Sequence, residues 1–406
     1  MTASPPPPSA PSQPVRLFRW YAALVFSFAW VPVMYTAFTV DRGFDNQQYL
    51  QLWSAYYLAM VLAELPWGWL ADRVGPRPLL VAGPISLAGC FILLGHSESF
   101  GVCRLAMALT GASHAMISGA DSAYLYEVLL RGDRRGAALH EEAVAHRWRL
   151  FGVSGADLAG GFVAAALGTL ASFHLSVAIM VAAALVALRL PGIHAEGATR
   201  RRPRLDLAWD QLRRPDVVWV VAWSTMVFVF LRLGFQLYQP TLLAVGAVDL
   251  RLHGGLLAVL NLVAGISAIF LGRLHERFGE RWTTLLVGLA MVVSFAGLAM
   301  LHPILLTPLF CLQQVSFGFM QPLGRTALNH RVRSQERASL LSVQSMVSRA
   351  GFGLLLLLLS TKGWDRAPAE ELGHVYRVLA GSALLLALLL FVLHRKQPAT
   401  ESGDRS

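Results

Sequence analysis

Three carboxylates, Glu64, Asp121 and Asp157, lie within long apolar stretches of the sequence. A charged side chain at the centre of a lipid bilayer costs about 2.5 to 3.5 kcal/mol even on insertion scales, so such a residue asks for a partner or a function. A carboxylate that is exposed first to one side of a membrane and then to the other can carry a proton. We therefore take these residues, in this order, as the candidate proton carriers.

One of these carboxylates shares a helical face with two other polar residues. His114, Ser118 and Asp121 are spaced by four and three residues, which places them one above another on a helix. The histidine has two interpretations, because a proton site and a hydrogen-bonded packing residue both suit an imidazole. The spacing alone does not separate them.

Composition indicates that lipid surrounds this chain. Of its 406 residues, 55% are hydrophobic and only 14% are charged, whereas soluble proteins carry roughly 25% charged residues. The apolar stretches are about 20 residues long, the length that crosses a bilayer as a helix. The net charge of +10 is dispersed between these stretches, so we expect a lipid environment and no nucleic acid. The cysteines Cys90, Cys103 and Cys311 have neither disulfide nor metal spacing.

The apolar pattern predicts an all-α membrane protein with twelve transmembrane helices in two six-helix bundles. The predicted spans are 18–40, 49–71, 79–95, 100–125, 150–171, 173–190, 217–238, 252–274, 282–301, 304–328, 340–360 and 372–394. Residues 16–190 would form the first bundle and residues 216–396 the second. A basic linker, 191–215, would join them, and residues 1–15 and 397–406 would be disordered tails.

Basic residues alternate from one loop to the next. Roughly 26 of the 34 lysines and arginines lie in the tails and the even-numbered loops, and about four lie in the odd-numbered loops. The positive-inside rule therefore places both termini and the linker in the cytoplasm. We predict a multi-pass protein of a bacterial inner membrane.

Two loops repeat one another half a chain apart. The segment Gly68 to Arg77 reads GWLADRVGPR and the segment Gly272 to Arg281 reads GRLHERFGER. Glycine, leucine, an acid, arginine, glycine and arginine recur in register, as expected for two halves that arose by duplication. The predicted gating residues are Gly68, Asp72, Arg73, Gly75, Arg77, Glu127, Gly272, Glu276, Arg277, Gly279 and Arg281.

The first of these loops resembles the signature loop of the major facilitator superfamily, G-x-L-A-D-R-x-G-R-R, with Pro76 in place of one basic residue. Glu64-Leu65-Pro66 and the segment 121–127 are similar to a drug-efflux-like bacterial branch. The resemblance implies alternating access by two rocking halves. It also implies that Asp72 contacts the start of helix 11, and that Arg73 or Arg77 pairs with Asp121 or Glu127, which together would latch the outward-facing state.

The same resemblance implies which residues line a central cavity. Helices 1, 4, 7 and 10 line it in this family, helix 2 lies near helix 11, and helix 5 lies near helix 8. We therefore expect contacts between Glu64 and Arg349 and between Asp157 and Asn261. The candidate cavity residues are Arg104, His114, Ser118, Arg232, Gln236, Gln313, Gln314, Gln321 and Arg349, although the glutamines also suit helix packing.

These observations predict a monomeric transporter without a cofactor that moves a small molecule by proton-coupled efflux of hydrophobic or cationic compounds. Asp157 argues against efflux, because it replaces the proline of the antiporter motif G-P-x-x-G-G. Uptake of an anionic nutrient recognised by arginines is the alternative. A non-transporting sensor on the same scaffold is another. An enzyme is not expected, because the spacing of His140 and His146 does not fit a zinc protease.

Overall fold

The computed structural model describes residues 12–132, 137–192, 211–332, 337–361 and 369–394. Most of the predicted linker, 193–210, and both predicted tails, apart from residues 12–15, lie outside the described residues.

Within the described ranges the chain is helical and crosses the bundle repeatedly. The helices are α1 (Gln13–Val25), α2 (Asn46–Val74), α3 (Pro76–His96), α4 (Phe100–Arg131), α5 (Ala138–Leu167), α6 (Thr169–Leu188), α7 (Pro215–Ala244), α10 (Pro303–Arg331), α11 (Arg337–Leu359) and α12 (Ala369–His394). The segment Leu250–Leu298 is interrupted at Gly279; we number its two parts α8 and α9. Ten of the described helices, α3 to α12, are long and apolar enough to cross a membrane.

The buried apolar side chains form two clusters, one for each bundle. The first comes almost entirely from α1 to α6, joined by Leu233, Phe352 and Leu356 of the second half. The second cluster comes from α7 to α12. The predicted fold class, two six-helix bundles, is therefore confirmed. We call the end of the molecule where α1 begins and α12 ends the terminus face, and the opposite end the distal face.

The repeated loops have the same backbone conformation. Gly75 has φ 82° and ψ 166°, and Gly279 has φ 70° and ψ 172°. A positive φ is accessible at low cost only to glycine, so each glycine permits the tight turn between two long helices. The duplication seen in the sequence is thus present in the geometry of the chain.

The first predicted span is interrupted, which corrects the expectation of one helix over 18–40. α1 ends at Val25, and the chain continues as a 3₁₀ turn, Val31–Val33, and a π-helical turn, Thr36–Val40. Pro32 lies in the interruption. Proline has no N–H, and its ring clashes with the carbonyl group four residues earlier, so an α-helix does not run through it.

Two other helix boundaries differ from the apolar windows. α2 begins at a capping box, in which Asp45 accepts a 2.7 Å hydrogen bond from the Gln48 N–H and the Gln48 side chain accepts one in return. α5 begins at Ala138, twelve residues before the predicted span. Its polar first turns are held against α1 by a 2.6 Å ion pair between Arg19 and Glu141.

Candidate functional site

A cavity of about 560 Å³ lies between the two bundles. Residues from α2, α4, α5, α7, α8, α10 and α11 and from the interruption in the first span line it. Its lining begins near Val31 and Trp53 and continues to Arg325 and Leu341, which lie close to the terminus-face ends of α10 and α11. This volume is within the range of small-molecule sites, roughly 300 to 1,000 Å³.

Towards the distal face, the first bundle is joined to α7 by a side-chain amide. The Nε2 of Gln239 donates to the Val31 carbonyl oxygen at 2.9 Å, and its Oε1 accepts from the Tyr35 N–H at 2.8 Å. In an unbroken helix these two backbone groups would bond to each other. The glutamine therefore satisfies backbone groups that the interruption leaves open.

A second contact between the bundles joins α5 to α8. The Asp157 carboxylate accepts a 2.7 Å hydrogen bond from Nδ2 of Asn261, and Asp157 is only 2% exposed. One turn further on, a Cβ atom at Gly161 would lie 2.9 Å from the Gly254 Cα. Such close approach of two helix backbones requires small residues. The expected contact between Asp157 and Asn261 is confirmed.

A third contact joins α2 to α11. Nη1 of Arg349 donates to the Glu64 carboxylate at 3.1 Å, and Ser342 Oγ donates to it at 3.4 Å. Nearer the distal face, Ser54 Oγ donates to the Gly353 carbonyl oxygen at 2.8 Å. The expected pairing of Glu64 with Arg349 is confirmed. The contacts of Gln239, Ser54 and Asp157 join the bundles on the distal side of the cavity, whereas Glu64 lies beyond the α2 lining residues, towards the terminus face.

Asp121 has a different partner from the one expected. Nη2 of Arg149, on α5, donates to its carboxylate at 2.6 Å, and Asp121 is 4% exposed. Of the two carboxylates expected to pair with Arg73 or Arg77, Asp121 is therefore excluded, because α5 extends far enough to place Arg149 beside α4; the pairing with Glu127 stays a prediction. Arg149 also lines the cavity, where its guanidinium lies 4.3 Å from the centre of the Phe26 ring.

His114 and Ser118 line the cavity as expected. Nδ1 of His114 lies 2.5 Å from the Tyr56 hydroxyl oxygen, so the two side chains share a hydrogen bond. The ring of His114 also packs 4.7 Å from that of Phe26. The hydrogen bond and the ring contact agree with the packing interpretation of this histidine, and the proton-site interpretation stays a prediction.

Arg232 lines the cavity among aromatic rings. Its guanidinium carbon lies 5.5 Å, 5.8 Å and 6.0 Å from the ring centres of Phe228, Phe235 and Phe317. Among the described residues it has no carboxylate partner, and its buried Nε has no hydrogen-bond acceptor. These contacts stabilise a cation through the ring faces without neutralising its charge.

Three other candidates lie away from the cavity, which corrects their assignment. Arg104 is exposed at the distal start of α4, over the Phe100 ring. Gln236 and Gln313 are buried between helices of the second bundle, at 3% and 2% exposure. Gln314 does line the cavity. The side chain of Gln321 is outside the described part of the chain.

The gating residues lie at the terminus face in two equivalent sets. In the first set, the guanidinium carbon of Arg73 lies 3.8 Å from the centre of the Trp69 ring. Arg77 donates a 2.8 Å hydrogen bond to the Leu188 carbonyl oxygen at the end of α6. In the second set, Arg281 lies 4.0 Å from the Phe391 ring centre on α12. Asp72, Glu276 and Arg277 are exposed there, Gly68 and Gly272 lie on α2 and α8, and Glu127 is buried on α4.

Sequence reasoning missed several lining residues. Arg149, His146 and Arg325 lie outside or at the edges of the apolar windows, so a search for charges inside those windows did not include them. Gln239 was also missed, because its role depends on the interruption in the first span. Pro32 was the available signal for that interruption.

Two similar helical bundles around a cavity define a polytopic membrane transporter. The chain belongs to the Major Facilitator Superfamily, whose family model matches residues 19–356. This membership confirms a transporter and not an enzyme. The family match does not distinguish the drug-efflux branch, which the sequence suggested, from other branches of the superfamily.

Solved structures share the fold at low sequence identity. The nucleoside transporter NupG matches with a TM-score of 0.81 at 14% identity, over 95% of this chain and 100% of that chain. The peptide transporter POT in complex with sulfate matches with 0.73 at 15% identity, over 94% of each chain. A bacterial homolog of the human lysosomal transporter Spinster, inward-facing and unoccupied, matches with 0.72 at 14% identity, over 95% and 98%.

A curated relative matches part of the sequence. Protein ZINC INDUCED FACILITATOR 1 of Arabidopsis thaliana is 26% identical in an alignment of 167 positions that covers 37% of this chain and 33% of the relative. The matched part thus spans about a third of that protein's length.

Proposed function

We propose that this protein is a secondary active transporter of small organic anions and that the cavity between the bundles binds them. The observation that carries the proposal is the charge of the described lining: four arginines, Arg149, Arg232, Arg325 and Arg349, and one carboxylate, Asp157. Glu64 and Asp121 offset two of the arginines from outside the lining. The cavity is therefore positive overall.

This charge favours the anionic alternative over the efflux of cationic compounds. Two like charges about 6 Å apart repel by about 3 kcal/mol at an effective dielectric constant of 20. A cationic substrate would meet such repulsion from Arg232 without a carboxylate beside it. Arginine's planar fork, in contrast, matches a carboxylate or phosphate group.

Asp157 is the proton site that the contacts favour. Glu64 and Asp121 each bind an arginine, so neutralising either one leaves a partly buried cation without its partner. Asp157 binds the neutral amide of Asn261 and lines the cavity. Protonation of Asp157 therefore leaves no buried cation without its partner. We therefore rank Asp157 above Glu64 and Asp121, whereas the sequence placed it last.

The orientation follows from charge. We propose that the terminus face lies in the cytoplasm of a bacterial cell, because the basic residues concentrate there. The contacts of Gln239, Ser54 and Asp157 lie on the distal side, and the cavity lining continues to Arg325 and Leu341 near the terminus face, so the described conformation is then inward-facing. Transport requires these distal contacts to open while the gating loops at the terminus face close.

A flux assay tests the proposal. Purified protein in liposomes would be offered labelled organic anions and lipophilic cations of matched size, with and without a pH gradient. We expect uptake of anions that a protonophore abolishes. Protein-dependent flux of cations alone would contradict the proposal. Anion flux that is the same with and without a pH gradient would contradict only the proton coupling.

A further inference from the structure

Resting on the proposed function, we propose that Arg232 and the rings of Phe228, Phe235 and Phe317 form a subsite for the carboxylate of a planar aromatic monoanion. The subsite is part of the cavity and lies deep in the membrane. Arg232 is twelve residues from the distal end of α7, about 18 Å along the helix axis.

No carboxylate among the described residues compensates the charge of Arg232 at this depth. Arg349 is bound to Glu64 and Arg149 to Asp121, whereas Arg232 contacts only ring faces among the described residues. A cation without a partner inside a membrane is costly, and such residues commonly mark a substrate or ion pathway. One negative charge from a ligand would balance it.

The geometry of the guanidinium selects a carboxylate. Arginine binds a carboxylate through two parallel N–H groups, a fork that Nε and one Nη can form. The Nε of Arg232 is buried and has no acceptor in the described structure. Phe228, Phe235 and Phe317 flank the guanidinium, so they hold it in place without competing for its N–H groups.

The walls around this group favour a flat apolar body. Tyr57 packs edge-on to Phe228, with ring centres 6.4 Å apart, and Trp53 packs edge-on to Phe235 at 6.3 Å. Trp53, Tyr57, Phe228 and Phe235 all line the cavity. Aromatic rings pack favourably against an inserted ring, either stacked or edge to face. A planar aromatic acid satisfies the cation and the apolar walls together.

The subsite favours a ligand with one negative charge over a ligand with two. The other arginine without a carboxylate contact in the described lining is Arg325, which is eight residues beyond Phe317 on α10. This spacing corresponds to about 12 Å along the helix. A small dicarboxylate cannot span it, so its second charge would remain among aromatic rings at a desolvation cost.

Binding to the purified full-length protein tests the subsite. Labelled benzoate would be the probe, and the competitors would be cyclohexanecarboxylate, which is charged but not planar, terephthalate, which is a planar dianion, and benzamide, which is neutral with a planar ring. We expect benzoate to bind and each competitor to be at least about tenfold weaker.

Variants identify the residue responsible. Arg232→Gln is expected to weaken benzoate binding by about tenfold or more, and Arg232→Lys is expected to weaken it by less. Phe235→Leu is expected to reduce the difference in affinity between benzoate and cyclohexanecarboxylate. Arg104→Gln, an exposed arginine outside the cavity, is the control and should bind normally. Thermal unfolding of each variant shows whether it remains folded.

The outcomes separate the two proposals. Transport of other anions without benzoate binding, or benzoate binding unchanged in a folded Arg232→Gln protein, would overturn the subsite and leave the anion transporter intact. Equal binding of benzoate and cyclohexanecarboxylate would overturn the preference for a planar body. Transport of cations alone would overturn both proposals.

Discussion

The backbone N–H of Tyr35 donates a 2.8 Å hydrogen bond to the side-chain oxygen of Gln239, 204 residues later in the chain. The same interval separates Gly75 from Gly279 in the repeated loops. The bond therefore joins equivalent positions of the two bundles. The same amide also holds Val31, so the interruption in the first span is stabilised by the opposite half of the molecule.

Gln239→Leu should weaken closure at the distal face. It removes both hydrogen bonds to the first span at nearly constant volume, and each is worth about 1 kcal/mol. Spin labels at Val40 and Val248, both exposed on the distal side, would report the opening in a variant without the three native cysteines. We expect a larger population at long separation than in the parent protein.

Gln236→Leu is the matched control for this experiment. Gln236 lies three residues earlier on α7, is equally buried, and has no hydrogen-bond partner in the described structure. Its substitution should leave the distance distribution unchanged. The assignment of Gln239 to distal closure is wrong if both substitutions shift the distribution equally, or if neither does.

Gly161→Val should prevent the same closure at a different contact. A side chain at this position collides with the backbone of Leu250 and Gly254, so α5 and α8 cannot approach. We expect a protein that inserts in the membrane but does not transport. Gly155→Val, on the same helix with open space around its Cα, should transport normally; loss of transport in both variants would point to a general packing defect.

Asp157→Asn should uncouple transport from the proton gradient. The substitution keeps a polar side chain beside Asn261 and removes the exchangeable proton. We expect accumulation driven by a pH gradient to disappear, while exchange of substrate across the membrane at equal pH persists. Accumulation that survives at the parent level would exclude Asp157 as the proton carrier.

Glu64 and Arg349 should behave as a coupled pair. Removing one partner of a partly buried ion pair leaves the other charge unbalanced, which typically costs more than the pair itself contributes. We expect Glu64→Gln and Arg349→Gln each to reduce stability and transport, and the exchange of Glu64→Arg with Arg349→Glu to recover part of both. Arg104→Gln, an exposed arginine outside the cavity, serves as the control. A double-mutant cycle with no coupling energy would show that the two residues act separately.

The sequence was sufficient for the fold because lipid imposes a simple rule. Every span must be apolar and helical, and the ends and interruptions of the spans are marked by charged residues or proline. The contacts of Glu64 and Asp157 were also predictable, since few charges occur inside a membrane and the helix order limits their partners. The family resemblance supplied that order.

Side-chain direction around a helix was not predictable from the same information. Arg104 and Arg232 are both arginines in apolar stretches, yet one points out of the bundle and the other lines the cavity. The partner of Asp121 depended on how far α5 extends beyond its apolar window, which composition does not define. Burial of Gln236 and Gln313 between helices depended in the same way on rotation about α7 and α10.

Charge selectivity in counterflow shows whether the positively charged cavity selects anions. Liposomes with parent protein, Arg232→Gln or Arg104→Gln would be preloaded with benzoate or with a lipophilic cation of similar size. We expect the parent and Arg104→Gln proteins to exchange benzoate rapidly and the cation slowly, and Arg232→Gln to show a much smaller preference for benzoate. Faster exchange of the cation than of benzoate by the parent protein would exclude selection of anions by the cavity.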